Sequence, residues 1–216
     1  MKSLNRSIRD LIFSSKCSIC GERCCDKDPY LCYNCYEKIA GKIKLHRRGN
    51  LYYTTYYDRD IKKLIASFKL KRRRYIGAFI GKLVGEVLRS IVEEEDIDIV
   101  IPVPASSARK RERGYNQVED ILEHAGIAYK RMKRIRDTQP MHKLKDEKLR
   151  RENVLGSFQG TLSTEGRNIL IVDDIVTTGS TIKEVIRSLE RDGSSKKVVV
   201  FAFALANTAL ASDLAF

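Results

Sequence analysis

The chain has 216 residues, 43% of them hydrophobic and 32% charged, and its 41 Lys and Arg against 28 Asp and Glu leave a formal charge of +13. That balance fits one well-buried domain of ordinary size plus a small appendage and excludes an intrinsically disordered chain. No apolar run reaches the length of a membrane span, so no membrane insertion is expected, and the excess charge points either to a basic, solubilising surface or to a polyanionic partner.

The opening stretch, MKSLNRSIRDLIFSSK, has too short an apolar segment and no small-residue cleavage site for a signal peptide, so the expected location is cytoplasmic. All six cysteines then fall between Cys17 and Cys35. Such clustering marks a local device and not a disulfide framework spread through a secreted fold. Cys17-Ser-Ile-Cys20 and Cys32-Tyr-Asn-Cys35 are two C-x-x-C knuckles separated by eleven residues. Four thiolates directed at one point suit tetrahedral Zn2+ in a closed, structural site. Gly21 permits the tight turn that the first knuckle needs. A redox dithiol and an iron–sulfur cluster are the other chemistries open to these residues. Cys24 and Cys25 are read as spare or regulatory thiols.

After GKIKLHRRGN, read as a linker, LYYTTYY is rich in aromatic and β-branched residues and predicts a strand or hairpin. Ile61, Leu64, Ile65 and Phe68 recur at helical spacing before the basic run KLKRRR. Ile76, Phe79, Ile80, Leu83, Val84, Val87 and Leu88 mark a second amphipathic helix, in which Gly77, Gly81 and Gly85 predict a close helix contact. DIDIVIPVP is a buried strand stopped at Pro102 and Pro104. GYNQVEDILEHAG is a helix closed by Gly126, and IAYKRMKRI is expected as a strand. The polar stretch QPMHKLKDEKLRR is either a mobile loop or a solvated helix. NILIVDD predicts a strand, GSTIKEVIRSLERDG a helix and KKVVVFAFALA a final strand. Strands alternating with helices give an α/β fold with a mostly parallel sheet covered on both faces, and ligands of such sheets bind at the carboxyl ends of the strands.

NILIVDDIVTTGSTI concentrates the chemistry. Its apolar run fits a central strand, with Asp173 and Asp174 at the carboxyl end. Thr177, Thr178, Gly179, Ser180 and Thr181 then form a small, hydroxyl-rich turn at a helix start, where backbone N–H groups and the helix dipole favour an anion. Carboxylates next to a phosphate nest repel the phosphate itself but accept hydrogen bonds from a sugar's vicinal hydroxyls. A ribose 5-phosphate has both ends. The simpler alternative is an Asp-Asp turn followed by a capped helix.

ILIVDDIVTTGST resembles the phosphoribosyl-pyrophosphate motif of type I phosphoribosyltransferases. The wider pattern resembles the ComF family, named for competence proteins of the ComFC type. The double C-x-x-C, IPVPASSARKRERGYNQ, RDTQPMHKL, RRENVLGSF and the Asp-Asp motif stand in family order, and the run Arg111 to Gln117 is the most specific part. The resemblance implies a type I phosphoribosyltransferase-like domain over residues 49–216, with a five-stranded parallel core and a hood, and a zinc-finger domain over residues 1–48. It implies binding of phosphoribosyl pyrophosphate with Mg2+, a role in DNA uptake during natural transformation, single-stranded DNA as a partner, and a helicase-like ATPase of the ComFA type as another. By position, Asp173 and Asp174 hold the ribose hydroxyls, and Thr177 to Thr181 hold the 5-phosphate. Arg109 and Arg113 face the pyrophosphate, and Arg136, Gln139, Lys143 and Arg151 lie on a mobile loop over the site. Mg2+ keeps waters and binds mainly through ligand oxygens, so no all-protein cage is expected.

One residue departs from the purine-type pattern. Those enzymes carry a carboxylate where this chain has Thr177, and a Thr hydroxyl is no base at neutral pH. Purine transfer is therefore disfavoured, and the chain shows a donor site without an evident nucleobase acceptor site. Three readings follow: a competence factor that binds single-stranded DNA, a transferase with an unidentified acceptor, and a regulator that senses the metabolite. A single phosphorylated metabolite offers roughly four or five negative charges, fewer than the excess here, which favours nucleic acid as a further partner. Lys69 to Arg74, Arg109 to Arg113 and Arg131 to Arg136 are the basic runs, and Tyr52, Tyr53, Tyr56 and Tyr57 are either base-stacking or core residues.

Overall fold

The structure is a computed structural model that describes residues 16–24, 31–70, 74–136, 138, 147–159, 163–191, 193–210 and 216. The segment read for a signal peptide is outside these residues up to position 15, as are Cys25, residues 71–73 of the first basic run, Gln139 and Lys143.

A short helix, α1 (Tyr33–Ala40), begins inside the second cysteine knuckle and is followed by an antiparallel hairpin of β1 (His46–Arg48) and β2 (Leu51–Tyr56). The segment GKIKLHRRGN is thus a connection only in its first half. Gly49, at φ +60°, makes the tight turn, and a two-residue turn can only return the chain antiparallel. Helix α2 (Arg59–Phe68) starts at Asp58, whose Oδ1 accepts the N–H groups of Asp60 at 2.9 Å and Ile61 at 3.0 Å. Its Ile61, Leu64, Ile65 and Phe68 are buried, as their spacing predicts. Helix α3 (Tyr75–Glu94), β3 (Ile99–Pro102), α4 (Ser107–Arg113) and α5 (Gln117–Ala125) come next. They lead to β4 (Lys133–Arg134), α6 (Glu147–Val154), β5 (Phe158–Gln159), β6 (Asn168–Val176), α7 (Ser180–Glu190), β7 (Lys197–Leu205) and α8 (Asn207–Leu210).

The main sheet has the order β1-β2-β7-β6-β3. Strands β2, β7, β6 and β3 are parallel, and β1 is an antiparallel edge. The core therefore has five strands as expected, but four of them and not all five are parallel. A separate two-stranded ribbon pairs β4 with β5. In IAYKRMKRI only Lys133–Arg134 is strand: Lys130 donates its N–H to the Val100 carbonyl at 2.8 Å, and the chain then turns away to pair with Phe158. The described part of QPMHKLKDEKLRR is helical and continues to Val154.

Pleat alternation sorts the central strands onto two apolar layers. Leu170, Val172, Val199, Phe201 and Phe203 pack in one, with α2, α3, α5 and the cysteine module. Ile169, Ile171, Val200 and Ala202 pack in the other, with α7, Met132 and Phe158. This two-sided burial is why the runs at β6 and β7 read as nearly continuous apolar stretches. Cys17, Ile19, Leu31, Cys32, Cys35 and Ile39 share the first layer's core, so the cysteine module sits directly against α2 and α3.

The glycine stripe of α3 lies against α5. A Cβ on Gly81 would stand 2.7 Å from the Ile121 carbonyl oxygen, and one on Gly77 would collide with the Asp120 carboxylate. Among the described residues, no helix is long and apolar enough to cross a membrane.

Candidate functional site

Strand β6 runs through Val176, three residues beyond the point where its apolar run gives way to Asp173. Asp173 and Asp174 stand side by side at this strand end, their carboxyls close enough to hydrogen-bond each other. Asp173 lines an open cleft together with Ile175 to Ile182. Asp174 meets Lys69, whose Nζ lies 3.2 Å from its Oδ2.

The cleft is built on Gly179. That residue adopts φ +72°, ψ 0°, in the left-handed region, and caps α7 without a side-chain hydrogen bond. A residue with a Cβ resists that conformation. The N–H groups of the first turn have no intrahelical partner, and the residues that bear them, Ser180, Thr181 and Ile182, line the cleft. Thr178 Oγ1 and Ser180 Oγ are 2.9 Å apart across it. All five residues of the hydroxyl-rich turn, Thr177 to Thr181, thus stand around one opening, next to Asp173.

The two acids titrate as an uneven pair. Burial and then the charge of Asp174 push Asp173 well above the usual carboxylate range. Burial raises Asp174 too, but the Lys69 ammonium outweighs it, helped by Arg113, and holds this carboxyl below its ordinary value. Asp173 Oδ1 accepts the N–H of Asp174 at 2.8 Å, which folds its side chain back on the strand. The firm negative charge of the pair therefore lies on Asp174, while Asp173 resists ionisation and hydrogen-bonds its neighbour. Such divergence is common at functional sites.

Arg113 and Arg109 come from the segment that follows Pro104. It is helix α4, started by Ser106, whose Oγ accepts the Arg109 N–H at 3.3 Å, and ended by Gly114 at φ +88°. None of its residues is buried, so it carries no hydrophobic periodicity to announce it. Arg113 is half-buried and loses basicity through this desolvation and the adjacent charge of Arg109. Its Nη1 donates to Gln117 Oε1 at 2.9 Å.

The rest of Arg111 to Gln117 is structural cement. Asn116 caps α5, accepting the Val118 N–H at 3.1 Å, and its Nδ2 donates to the Val103 carbonyl at 3.2 Å, which ties the helix to the end of β3. Tyr115 donates its buried hydroxyl to the Phe68 carbonyl at the end of α2. Arg136, expected over the site, donates from Nη2 to the carbonyls of Glu152 (3.3 Å) and Asn153 (3.0 Å) and so caps α6, the helix that bears the exposed Arg151. Of the tyrosines, Tyr52 and Tyr53 are core residues, while Tyr56 is 40% exposed. Lys69 is the site residue that sequence reasoning missed. It stood in a basic run, and nothing in that run marks one cation as facing a carboxylate.

The four cysteines of the two knuckles converge. Their Sγ atoms all lie within 4.8 Å of one another, and Cys20 Sγ is 3.6 Å from Cys32 Sγ. Zinc–sulfur bonds of about 2.3 Å in a tetrahedron need sulfur atoms roughly 3.8 Å apart, so the set can hold a metal such as zinc. The knuckle geometry agrees: Ile19 N–H points at Cys17 Sγ at 3.5 Å, and Gly21, at φ +84°, gives its N–H to the Cys17 carbonyl at 3.0 Å. Burial works to raise the Cys17 thiol, but the backbone donors of Cys20, Cys32 and Ile19 bring it down to about 6, whereas burial and the neighbouring thiols push Cys35 up. Cys24 is half-buried at the edge of this module and is not part of the four-sulfur set.

The chain has relatives among known proteins. Residues 77–213 match the phosphoribosyl transferase domain family. The chain belongs to that family. Within it, the chain is 32% identical over 148 residues to the DNA utilization protein YhgH of Salmonella typhimurium, an alignment covering 64% of this chain and 65% of that protein. It is 28% identical over 166 residues to the competence protein ComFC of Bacillus subtilis, covering 76% and 66%. The chain thus spans slightly under two thirds of the length of these relatives. Among solved structures, a purine phosphoribosyltransferase from Pyrococcus horikoshii aligns with a TM-score of 0.39 and 15% identity, over 60% of this chain and 76% of that one.

Proposed function

We propose that this protein binds phosphoribosyl pyrophosphate and acts in DNA uptake, handling single-stranded DNA through its basic surface. The observation that carries the first half is the pairing of Asp173 with the open turn Thr177 to Thr181 around one cleft, with Asp174 and its two cations beside it. The turn offers backbone donors for the 5-phosphate, the carboxylates offer acceptors for ribose hydroxyls, and Lys69, Arg109 and Arg113 offer charge for the diphosphate. Mg2+ enters with the ligand, held mainly by diphosphate oxygens and water. Zn2+ in the cysteine set is structural, since four thiolates leave no open position.

The second half rests on the formal charge of +13 and on the names of the relatives, a DNA utilization protein and competence protein ComFC. A helicase-like ATPase is the partner this reading expects, and the cytoplasm its compartment. The competing reading, transfer to an unidentified acceptor, draws on family membership. Thr177 counts against a purine acceptor, because the position next to the cleft lacks a base.

Calorimetric titration of phosphoribosyl pyrophosphate with Mg2+ into wild-type protein and into Asp173→Ala/Asp174→Ala tests the metabolite site; binding that survives the double change refutes it. A fluorescent single strand tests the DNA half. Its affinity is expected to fall steeply with salt, by the release of condensed counterions, and salt-independent or absent binding refutes that half. Release of pyrophosphate with a candidate base would favour the transferase reading.

A further inference from the structure

The hairpin of β1 and β2 forms the outer edge of the main sheet, and neither the cleft beside Asp173 nor the four-cysteine set draws on it. Its charge is one-sided. From Gly41 to Tyr57 the chain carries two lysines and two arginines and no Asp or Glu. Three rings meet on this ribbon. His46 faces Tyr53 across the two strands and stacks on it, 4.9 Å between centroids and 18° between planes. Tyr56 closes the group, 5.5 Å from the Tyr53 ring and 5.6 Å from that of His46, with its hydroxyl 3.1 Å from the Tyr53 hydroxyl. Tyr53 is buried and forms the floor, whereas Tyr56 is exposed and His46 half-buried, so two of the three rings reach solvent. Arg48 stands near enough to Tyr53 for its charge to act on the hydroxyl, and the exposed Lys44 precedes His46 by two residues.

Building on the DNA reading above, we propose that the β1–β2 ribbon is the single-strand contact surface, on which unpaired bases stack on Tyr56 and His46 while Lys44 and Arg48 meet the phosphates. The chemistry selects the occupant. Solvent-facing rings among cations, with no acid nearby in the chain, offer a single strand both things it presents: π-faces to stack and a charged backbone to neutralise. A duplex keeps its base faces inside its own stack and could use only the cations. The ribbon is also well placed. Tyr56 pairs with Leu205 of β7, and Leu205 pairs with Val176 of β6, so the rings open on the same end of the sheet as the cleft. Two strand spacings, roughly 10 Å, separate Tyr56 from β6.

The test is fluorescence anisotropy of a short oligothymidylate, alone and annealed to oligoadenylate, with wild-type protein, Tyr56→Ala, Tyr56→Leu, Tyr56→Phe and Lys44→Ala over a range of salt. Tyr56→Ala is expected to weaken the single strand by about five- to a hundredfold, the span of one lost base–aromatic stack, with the salt slope unchanged. Tyr56→Leu, which keeps bulk without a ring, should show the same loss, and Tyr56→Phe, which keeps the ring, should stay within about threefold of wild type. The duplex should change by less than about threefold in all three, since its affinity is carried by charge. Lys44→Ala should instead lower the salt slope by about 0.7, the share of one phosphate contact on a single strand; an unchanged slope overturns the phosphate half of the proposal. A single strand unaffected by the loss of the ring, an equal loss on the duplex, or a loss that Tyr56→Phe shares overturns the stacking half. So does a smaller oligomeric mass for Tyr56→Leu by light scattering, which would make the ribbon a contact between copies of this chain. Wild-type protein that binds neither form of the oligonucleotide overturns the DNA reading itself and this proposal with it, whereas wild-type binding untouched by any of the four variants overturns only the latter.

Discussion

Within the glycine stripe of α3, the residues at 81 and 85 should respond to alanine with opposite signs. At Gly81 an added Cβ would meet the Ile121 carbonyl oxygen at 2.7 Å, His124 Cβ at 2.8 Å and Ala125 N at 3.0 Å. Comfortable carbon contacts lie at about 3.5–4.0 Å, and two of these neighbours are backbone, so α5 itself has to retreat. Overpacking of that kind costs about 1–3 kcal/mol. The better helix propensity of alanine returns about 1 kcal/mol, leaving Gly81→Ala destabilised by up to about 2 kcal/mol. At Gly85 the nearest atoms are Arg89 Nη1 at 3.4 Å, the far end of a flexible side chain, and the Ala125 carbonyl oxygen at 3.5 Å. Propensity wins there, and Gly85→Ala should gain about 0.5–1 kcal/mol. Urea unfolding of both variants and wild type, compared through the midpoint at constant m-value, reads the difference directly. Two shifts of the same sign would refute the claim that α3 and α5 touch through the glycine at 81.

Three further outcomes are expected. Burial and the Asp174 charge lift Asp173, so its folded value lies above its unfolded one, and the penalty it imposes is absent in acid and grows as pH rises through the folded value. Asp173→Asn should therefore raise Tm at neutral pH, lose that advantage near about pH 4, and abolish metabolite binding; a pH-independent or negative shift would contradict the uneven pair. Asp174→Asn should do the reverse to stability, since the Lys69 ammonium favours its charged form. Removing the metal with a chelator, or Cys32→Ser, should take bound zinc from about one per chain to near zero and lower Tm; protein purified without chelator and found metal-free would sink the four-thiolate assignment. Asn116→Ala removes the α5 cap and leaves the Val103 carbonyl without its donor, so a loss of about 2–3 kcal/mol is expected in denaturant unfolding. A change below about 0.5 kcal/mol would show that the cap is dispensable.

Much of this arrangement is legible in particular residues. The apolar runs at Ile169 to Val172 and Val198 to Leu205 announce central strands because both faces are buried, and the glycine spacing at 77, 81 and 85 announces a close helix pair. The spacing of Cys17, Cys20, Cys32 and Cys35 announces a four-sulfur cluster because ligand geometry is local to each knuckle. Other features leave no such trace. Helix α4 has no buried face, so its seven residues carry no period. The edge strand His46–Arg48 is three polar residues whose strand character comes from their partner β2.

For the site the division is the same. Residue type and order alone determine that a carboxylate pair precedes a glycine-centred turn with open N–H groups, since a positive φ at Gly179 and the start of a following helix are properties of a short segment. Which carboxylate keeps its charge is not. Asp173 and Asp174 are chemically identical neighbours, and they differ because Asp174 is the one that pairs with Lys69, a residue 105 positions earlier whose place is set by the packing of α2 and the hydroxyl of Tyr115. Electrostatic energy depends on distance and burial, which only the folded chain defines.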